Sequence, residues 1–181
     1  MTKKEFAVLA SALKTYFTKE DKLLPNNEAM ELWYRALEDI PFPVAEAAVI
    51  KWAQTHTWSP SIAELRETAA TVAFGEIPDW GEGWRQVCDA MSKYGREYPK
   101  SAYNSMDEIT AEAAKQLGSW WNVCVSENQD ALRANFRKNY EAIAKQKMQE
   151  RQMSNALRDS IAQIQGAGIG QPLLAGSMER K

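Results

Sequence analysis

The chain has 181 residues, of which 45% are hydrophobic and 25% are charged, and seven are tryptophan. These values are ordinary for a globular protein, and the length suits one domain or two small ones. No apolar run approaches the roughly 20 residues needed to cross a bilayer, and no apolar signal-peptide core follows the first residues. Cys88 and Cys124 lie far apart in the chain. We therefore expect a cytoplasmic protein with reduced thiols and no membrane partner.

The net charge of −2 is unevenly distributed. Residues 128–181 carry nine basic and five acidic groups, whereas residues 1–127 carry 13 basic and 19 acidic groups. A basic last third indicates a nucleic-acid or acidic-protein partner, although a solvated helix face has the same composition.

Helical signals follow one another through the first 75 residues. Thr2-x-x-Glu5 has the capping-box pattern, and Asn26 is suited to cap a second helix. A third helix begins near Pro43, is apolar nearly all round, and is expected to be surrounded by other helices. Ser61-x-x-Glu64 then predicts a fourth, capped helix. No stretch has the alternating pattern of a β-strand.

The later chain continues as helices after a break in composition at residues 75–79. Asp79 is expected to cap a helix that ends at Gly95, and a further helix begins near Asp107 and runs through Gly118 to Cys124. Neither Gly nor Pro occurs at residues 128–165, which allows one long helix there.

The predicted fold is therefore all-α, with two small helical domains followed by a long C-terminal helix and a mobile tail. The predicted boundaries are 1–74 for the N-terminal helical domain, 75–145 for the second helical domain, 146–165 for a projecting helix, and 166–181 for the flexible tail.

Few residues are arranged for catalysis. The one histidine, His56, has no second His, Cys pair or carboxylate cluster at metal-ligand spacing, so we interpret it as a packing or helix-end residue. No P-loop motif is present. We expect no enzymatic activity and no cofactor or metal.

The tryptophans offer two interpretations. They could stack on single-stranded bases, but most fall on apolar stripes at helical spacing, and Lys and Arg are not interleaved with them in the sequence. Core packing is therefore the favoured interpretation.

The late apolar stripe is the stronger functional signal, because no partner for it is left in the chain. Methionine and aliphatic residues on a helix beyond the core are suited to docking into a partner's groove. Self-association and packing back on the core are the alternatives. The predicted partner-binding residues are Met148, Arg151, Met153, Leu157, Arg158, Ile161 and Ile164.

Two groups of motifs resemble the phage replicative-helicase loader/inhibitor family of Gram-positive phages. The first group is Leu32-Trp33-Tyr34-x-x-Leu37-x-Asp39-Ile40-Pro41 and Trp58-Ser59-Pro60-Ser61-Ile62-Ala63-Glu64-Leu65-Arg66. The second, similar to longer members, comprises Gly83-Trp84-x-x-Val87, Lys93-Tyr94-Gly95, Leu117-Gly118-x-x-Trp121-x-x-Cys124 and Arg133-Ala134-x-Phe136-x-x-x-Tyr140. Together they cover roughly residues 1–145.

The resemblance implies a small all-helical adaptor without ATPase activity, acting in the host bacterial cytoplasm. It would bind a DnaB-type hexameric helicase, restrain it and deliver it to single-stranded DNA at the origin. In the family, helicase contact is associated with the flexible C-terminal part. Origin-binding and single-strand-binding proteins would be further partners, and direct DNA contact would be secondary.

Two other classes compete with this prediction. A nucleic-acid-binding replisome organiser would explain the basic last third and the tryptophans. A repressor-like helix-turn-helix at residues 43–74 is disfavoured, because its second helix has one basic residue, Arg66, against Glu64 and Glu67.

Overall fold

The computed structural model describes residues 1–20 and 23–167, and within these residues it contains ten α-helices and no β-strand. The all-α prediction is confirmed. The predicted flexible tail lies outside the described residues from position 168 onward. In the described ranges, no helix is long and apolar enough to cross a bilayer. By their contacts, the described residues form two compact units, one comprising Met1–Gly75 with the chain from Arg151 onward, and the other comprising Glu76–Glu150.

Five helices of the described chain belong to the first unit. Thr2 and Ser61 cap the first and fourth of them through complete capping boxes, as their sequences predict. The backbone of Asn26 is extended, and its side chain accepts a hydrogen bond from the Ala29 N–H. The helices are α1 (Lys3–Tyr16), α2 (Asn27–Leu37), α3 (Phe42–Thr55), α4 (Ile62–Phe74) and α10 (Asn155–Gly166).

The core of the first unit forms around α3, which packs against both α1 and α4. Burial of its apolar side chains supplies the main driving force for this packing. Ile50 nevertheless stays 41% exposed, so α3 is not enclosed on every side. The most deeply buried large side chains of this core are Leu9, Leu13, Leu37, Val49 and Leu65.

The second unit contains the other five helices. Asp79 and Asp107 accept hydrogen bonds from first-turn N–H groups, and Gly95 ends its helix with a positive φ of 58°. The sequence predicts all three as helix ends. The helices are α5 (Trp80–Tyr94), α6 (Pro99–Asn104), α7 (Glu108–Lys115), α8 (Trp120–Val125) and α9 (Gln129–Gln152).

Tyr140 lies at the centre of the second core and is only 1% exposed. Its hydroxyl donates a hydrogen bond of 2.9 Å to the Pro78 carbonyl oxygen. Gly83 faces it from α5, where a side chain would have no room. The remaining large side chains of this core include Val87, Trp120, Val123, Phe136 and Ile143.

Gly118 is not inside a helix, which corrects the sequence expectation of one helix from Asp107 to Cys124. The structure ends α7 at Lys115 and begins α8 at Trp120. Gly118 has φ of 108°, a left-handed conformation that costs glycine little, and Ser119 caps α8 by accepting from the Asn122 N–H. The glycine and serine together break the helix.

Candidate partner-binding surface

Arg66, in the second turn of α4, connects three segments of the first unit. Its guanidinium donates two hydrogen bonds to the Asp39 carboxylate, at 2.8 and 2.9 Å, in the paired geometry that suits arginine. It also donates to the carbonyl oxygens of Ala36, at 2.6 Å, and of Gln152. We refer to Arg66, Asp39, Ala36 and Gln152 as the Arg66 network. It joins the end of α2 to the end of α9.

Asp39 remains charged within this network. Burial alone would raise the pKa of its carboxyl group, but the hydrogen bonds and positive charge of Arg66 outweigh burial and lower it. The backbone N–H of Asn155 also lowers this pKa. Because the folded pKa lies below the ordinary value of 3.8, the stabilisation is present above that pH and is lost as the pH falls through the folded value.

The chain breaks between α9 and α10, directly after the carbonyl group that Arg66 contacts. Ser154 has the extended angles of an N-cap, with φ of −66° and ψ of 149°, and its hydroxyl accepts from the Leu157 N–H at 3.2 Å. The expected uninterrupted helix over residues 128–165 is therefore two helices. Serine followed by asparagine competes well for a cap position, which explains the break without glycine or proline.

Helix α10 has an amphipathic sequence but buries none of its residues. Leu157, Ile161 and Ile164 lie four and three residues apart, which places them on one helix face. Leu157 is 51% exposed and Ile164 is 50% exposed, while Ile161 is half-buried. The face is thus a small apolar surface on a helix whose first turn is fixed by Ser154 and the Arg66 network.

The other predicted partner-binding residues have different surroundings. The half-buried Arg151 places its guanidinium over the Phe74 ring, 5.3 Å from the centroid, and its Nη1 is 3.5 Å from the Gly75 carbonyl oxygen. Met153 is half-buried and Arg158 is exposed. Met148 is half-buried and belongs to the second unit. Of the predicted set, Leu157, Ile161 and Ile164 therefore form the apolar helix face.

A second apolar surface lies between α1 and α3, and the sequence analysis did not predict it. Val8 is 57% exposed and Tyr16 is 50% exposed, next to Ile50 of α3. The cavity between the two helices has a volume of only about 40 Å³. This is far below the several hundred Å³ of ordinary small-molecule sites, so the surface is not a ligand pocket.

His56 is a packing residue, in agreement with its interpretation from the sequence. Its ring stacks on Trp52 with a centroid distance of 3.6 Å, and it meets Trp58 edge-on at 5.4 Å. Trp52 donates from Nε1 to the Trp58 carbonyl oxygen at 2.9 Å. Glu20 accepts hydrogen bonds from the Ser59 hydroxyl and N–H, which lower its pKa. These contacts fix the turn between α3 and α4.

The thiols and carboxylates provide no metal-ligating set in the described ranges. No group of three or more His, Cys, Asp or Glu side chains there has the geometry to hold a metal ion. Cys88 and Cys124 are free and half-buried, and burial raises the pKa of both thiols.

Comparison with known proteins identifies the first unit's helical region. Residues 1–66 match a family model that describes the N-terminal domain of the phage helicase loader/inhibitor family. The match covers α1 to α3 and the beginning of α4, and it ends at Arg66. No curated protein and no solved structure matches the chain. The resemblance is confirmed for these residues, and the motifs beyond them stay a prediction.

Proposed function

We propose that this chain, whose residues 1–66 form an N-terminal domain of the phage helicase loader/inhibitor family, is a helicase loader that works by binding and not by catalysis. Its partner is a DnaB-type replicative helicase hexamer in the host bacterial cytoplasm. It restrains the helicase and delivers it to single-stranded DNA at the origin. Origin-binding and single-strand-binding proteins are its further partners.

The helicase contact in this proposal is the apolar face of α10. The observation that carries it is the exposure of Leu157 and Ile164, at 51% and 50%, on a helix with no buried residue. A short amphipathic helix with anchors at this spacing is suited to an apolar groove on a partner. Burying what remains exposed of each anchor would contribute roughly 1 kcal/mol.

The contacts at the start of α10 support the same proposal. Ser154 caps its first turn, and Arg66 fixes the Gln152 carbonyl group just before it. A helix whose start is already ordered loses less conformational entropy on binding. Arg158 is on the same helix and would meet acidic groups of the helicase. Arg151, which lies over Phe74, would lose that contact if it also bound the partner.

Loading follows from differential affinity. A ligand shifts a conformational equilibrium only by the difference in its affinity for the two states. Several copies bound to one hexamer would favour an opened ring if α10 fits the open arrangement better. Restraint of the helicase before delivery then has the same cause, because the adaptor-bound ring is held away from its translocating state.

Co-purification with the replicative helicase, with and without ATP, tests the proposal. Replacing both Leu157 and Ile164 with Ser removes roughly 2 kcal/mol of apolar burial, so we expect about 30-fold weaker binding. Val125→Ser is the matched control, since Val125 is 46% exposed on the second unit. Nuclease treatment of both proteins removes bridging DNA from the comparison.

Two results would reject the α10 contact. One is helicase binding by the double variant that equals the wild type. The other is helicase binding that survives deletion of residues 146–181. Failure of the wild-type chain to bind any DnaB-type helicase would reject the function itself.

A further inference from the structure

The second unit has a group of aromatic and basic side chains around the α5–α6 connection. Trp120 donates from Nε1 to the Gly95 carbonyl oxygen at 2.8 Å, which brings the start of α8 to this connection. Its neighbour Trp121 lies under the Arg96 guanidinium, 4.2 Å from the ring centroid. Tyr103 of α6 meets Trp120 edge-on at 5.4 Å. Residues distant in sequence are therefore joined into one surface.

Cations cover several rings of this surface. Besides Arg96 over Trp121, Lys93 lies 5.2 Å from the Tyr94 centroid and Lys115 lies 5.4 Å from the Tyr103 centroid. Such pairs occur about once per 70–80 residues in protein structures. Three pairs at one end of a unit that spans Glu76–Glu150 are more than this frequency predicts. The interleaving of basic and aromatic residues that the sequence lacks is thus present in three dimensions.

The positive charge of this part of the chain is concentrated here. Residues 75–127 contain five basic residues against nine acidic ones, and four of the five are Lys93, Arg96, Lys100 and Lys115. The fifth, Arg85, is paired with Glu82 and Asp89 on α5. An acidic segment that places four of its cations next to exposed rings has a local charge opposite to its average.

Two large rings remain accessible on the surface. Tyr98 is 65% exposed and Trp121 is 46% exposed. Core packing explains Trp120, which is 3% exposed, but it does not explain these two. Glu97 pairs with Arg96 at 3.1 Å, and Glu112 lines the groove beside Tyr103 and Lys115. These carboxylates limit the positive region on one side.

We propose that Lys93, Arg96, Lys100 and Lys115, with Tyr98 and Trp121, form a binding surface for single-stranded nucleic acid. The cations contact phosphates, and unpaired bases stack on Tyr98 and on the Arg96–Trp121 pair. Unpaired bases fit better than an acidic peptide, because an acidic peptide would use the cations and leave the exposed rings unmatched. The surface is independent of the helicase contact, which lies in the other unit.

Fluorescence anisotropy of the full-length chain with labelled oligothymidylate tests the surface directly. We expect binding that weakens between about 50 and about 200 mM salt, with a slope of roughly −0.7 for each phosphate contact. Trp121→Leu keeps an apolar side chain but removes the stacking ring, and it should weaken binding about tenfold. Arg96→Gln should weaken binding and reduce the salt slope by about 0.7.

The controls separate this surface from general charge and from misfolding. Arg85→Gln removes one charge from the same unit outside the surface, and its affinity should stay within about twofold of the wild type. Circular dichroism spectra and thermal melts verify that each variant folds. Oligouridylate as a second probe distinguishes RNA from DNA as the source of the single strand, and either one binding tightly supports the surface.

Three results would overturn the proposal. One is the absence of measurable binding to both oligonucleotides at the lower salt concentration. Another is equal affinity of Trp121→Leu, Arg96→Gln and the wild type. The third is tight binding of polyglutamate without binding of either oligonucleotide, which would assign the surface to an acidic protein segment.

Discussion

Gly83 lies where α5 meets side chains of α7 and α9. A Cβ atom there would be 2.7 Å from Cε2 of Tyr140 and 2.9 Å from Oγ1 of Thr110. Gly→Ala inside a helix ordinarily stabilises it by about 1 kcal/mol. Here the forced shift of a buried ring reverses the sign, so we expect Gly83→Ala to destabilise the second unit by about 1–3 kcal/mol in urea unfolding.

Gly166→Ala provides the comparison for that substitution. A Cβ atom at Gly166, the last residue of α10, would meet nothing within 4 Å. Its unfolding free energy should be unchanged or slightly higher than that of the wild type. Equal stability of the two variants would show that the close approach at Gly83 has no energetic cost.

Tyr140 gives the second unit an alkaline pH dependence. Burial, followed by the negative charges of Asp107 and Asp79, raises its pKa from 10.0 to about 12. Between these values the folded chain keeps a proton that the unfolded chain loses, so stability is full below pH 10 and falls as the pH rises towards 12. We expect the stability advantage of the wild type over Tyr140→Phe to shrink across this window.

Urea unfolding at intervals of pH measures that advantage. At neutral pH, Tyr140→Phe should cost about 1 kcal/mol, because the Pro78 carbonyl oxygen loses its 2.9 Å donor. An advantage that stays constant from pH 10 to pH 12 would contradict the shifted titration.

Local chemistry at helix ends is what the sequence predicts best at this scale. Thr2, Ser61, Asp79 and Asp107 each cap the helix that their side chains predict. An N-cap depends on residues within about three positions, so a single chain contains the full signal. The contacts of Arg66 cannot be found in this way, because they join α4 to residues 30 and 86 positions away.

At the scale of elements, the Arg66 network holds the start of α10 on the first unit. The side chains of Arg66 and Asp39 are only 12% and 20% exposed, so their hydrogen bonds are partly shielded from water. Arg66→Lys keeps the charge but loses the paired geometry and the reach to Gln152. We expect a loss of about 1.5–3 kcal/mol in unfolding free energy and faster tryptic cleavage after Arg158.

Arg35→Lys is the matched control for that substitution. Arg35 pairs with Glu31 at 3.4 Å on the surface of α2, with its side chain 69% exposed. Exposed pairs contribute little, so stability and the rate of cleavage should stay at wild-type values. Cleavage of Arg66→Lys at the wild-type rate would mean that the network does not order α10.

Helix breaks are harder to predict than helix types. Apolar periodicity correctly indicates helices on both sides of Gly118 and of Ser154, but it continues across both breaks. The signals are local: glycine followed by serine at one break, and serine followed by asparagine at the other. The sequence indicates the solvent exposure of α10 only as a stripe without a partner, since exposure depends on packing across the whole chain.

At the scale of the whole molecule, the chain carries two different surfaces on two units. The first unit combines the helicase-loader family domain with the apolar face of α10, and the second contains the aromatic and basic surface around Arg96 and Trp121. A loader must hold a helicase close to a single strand. One chain with a protein-binding surface and a nucleic-acid-binding surface meets both requirements.

Hydrogen–deuterium exchange of the full-length chain, with and without a DnaB-type helicase, tests the central claim most directly. We predict slower exchange in α10, at residues 155–166, when helicase is bound, because its apolar face becomes buried. The α1–α3 surface around Val8 and Tyr16 should exchange at the same rate in both samples. Protection confined to α1 and α3 or to the second unit, with α10 unchanged, would contradict the account.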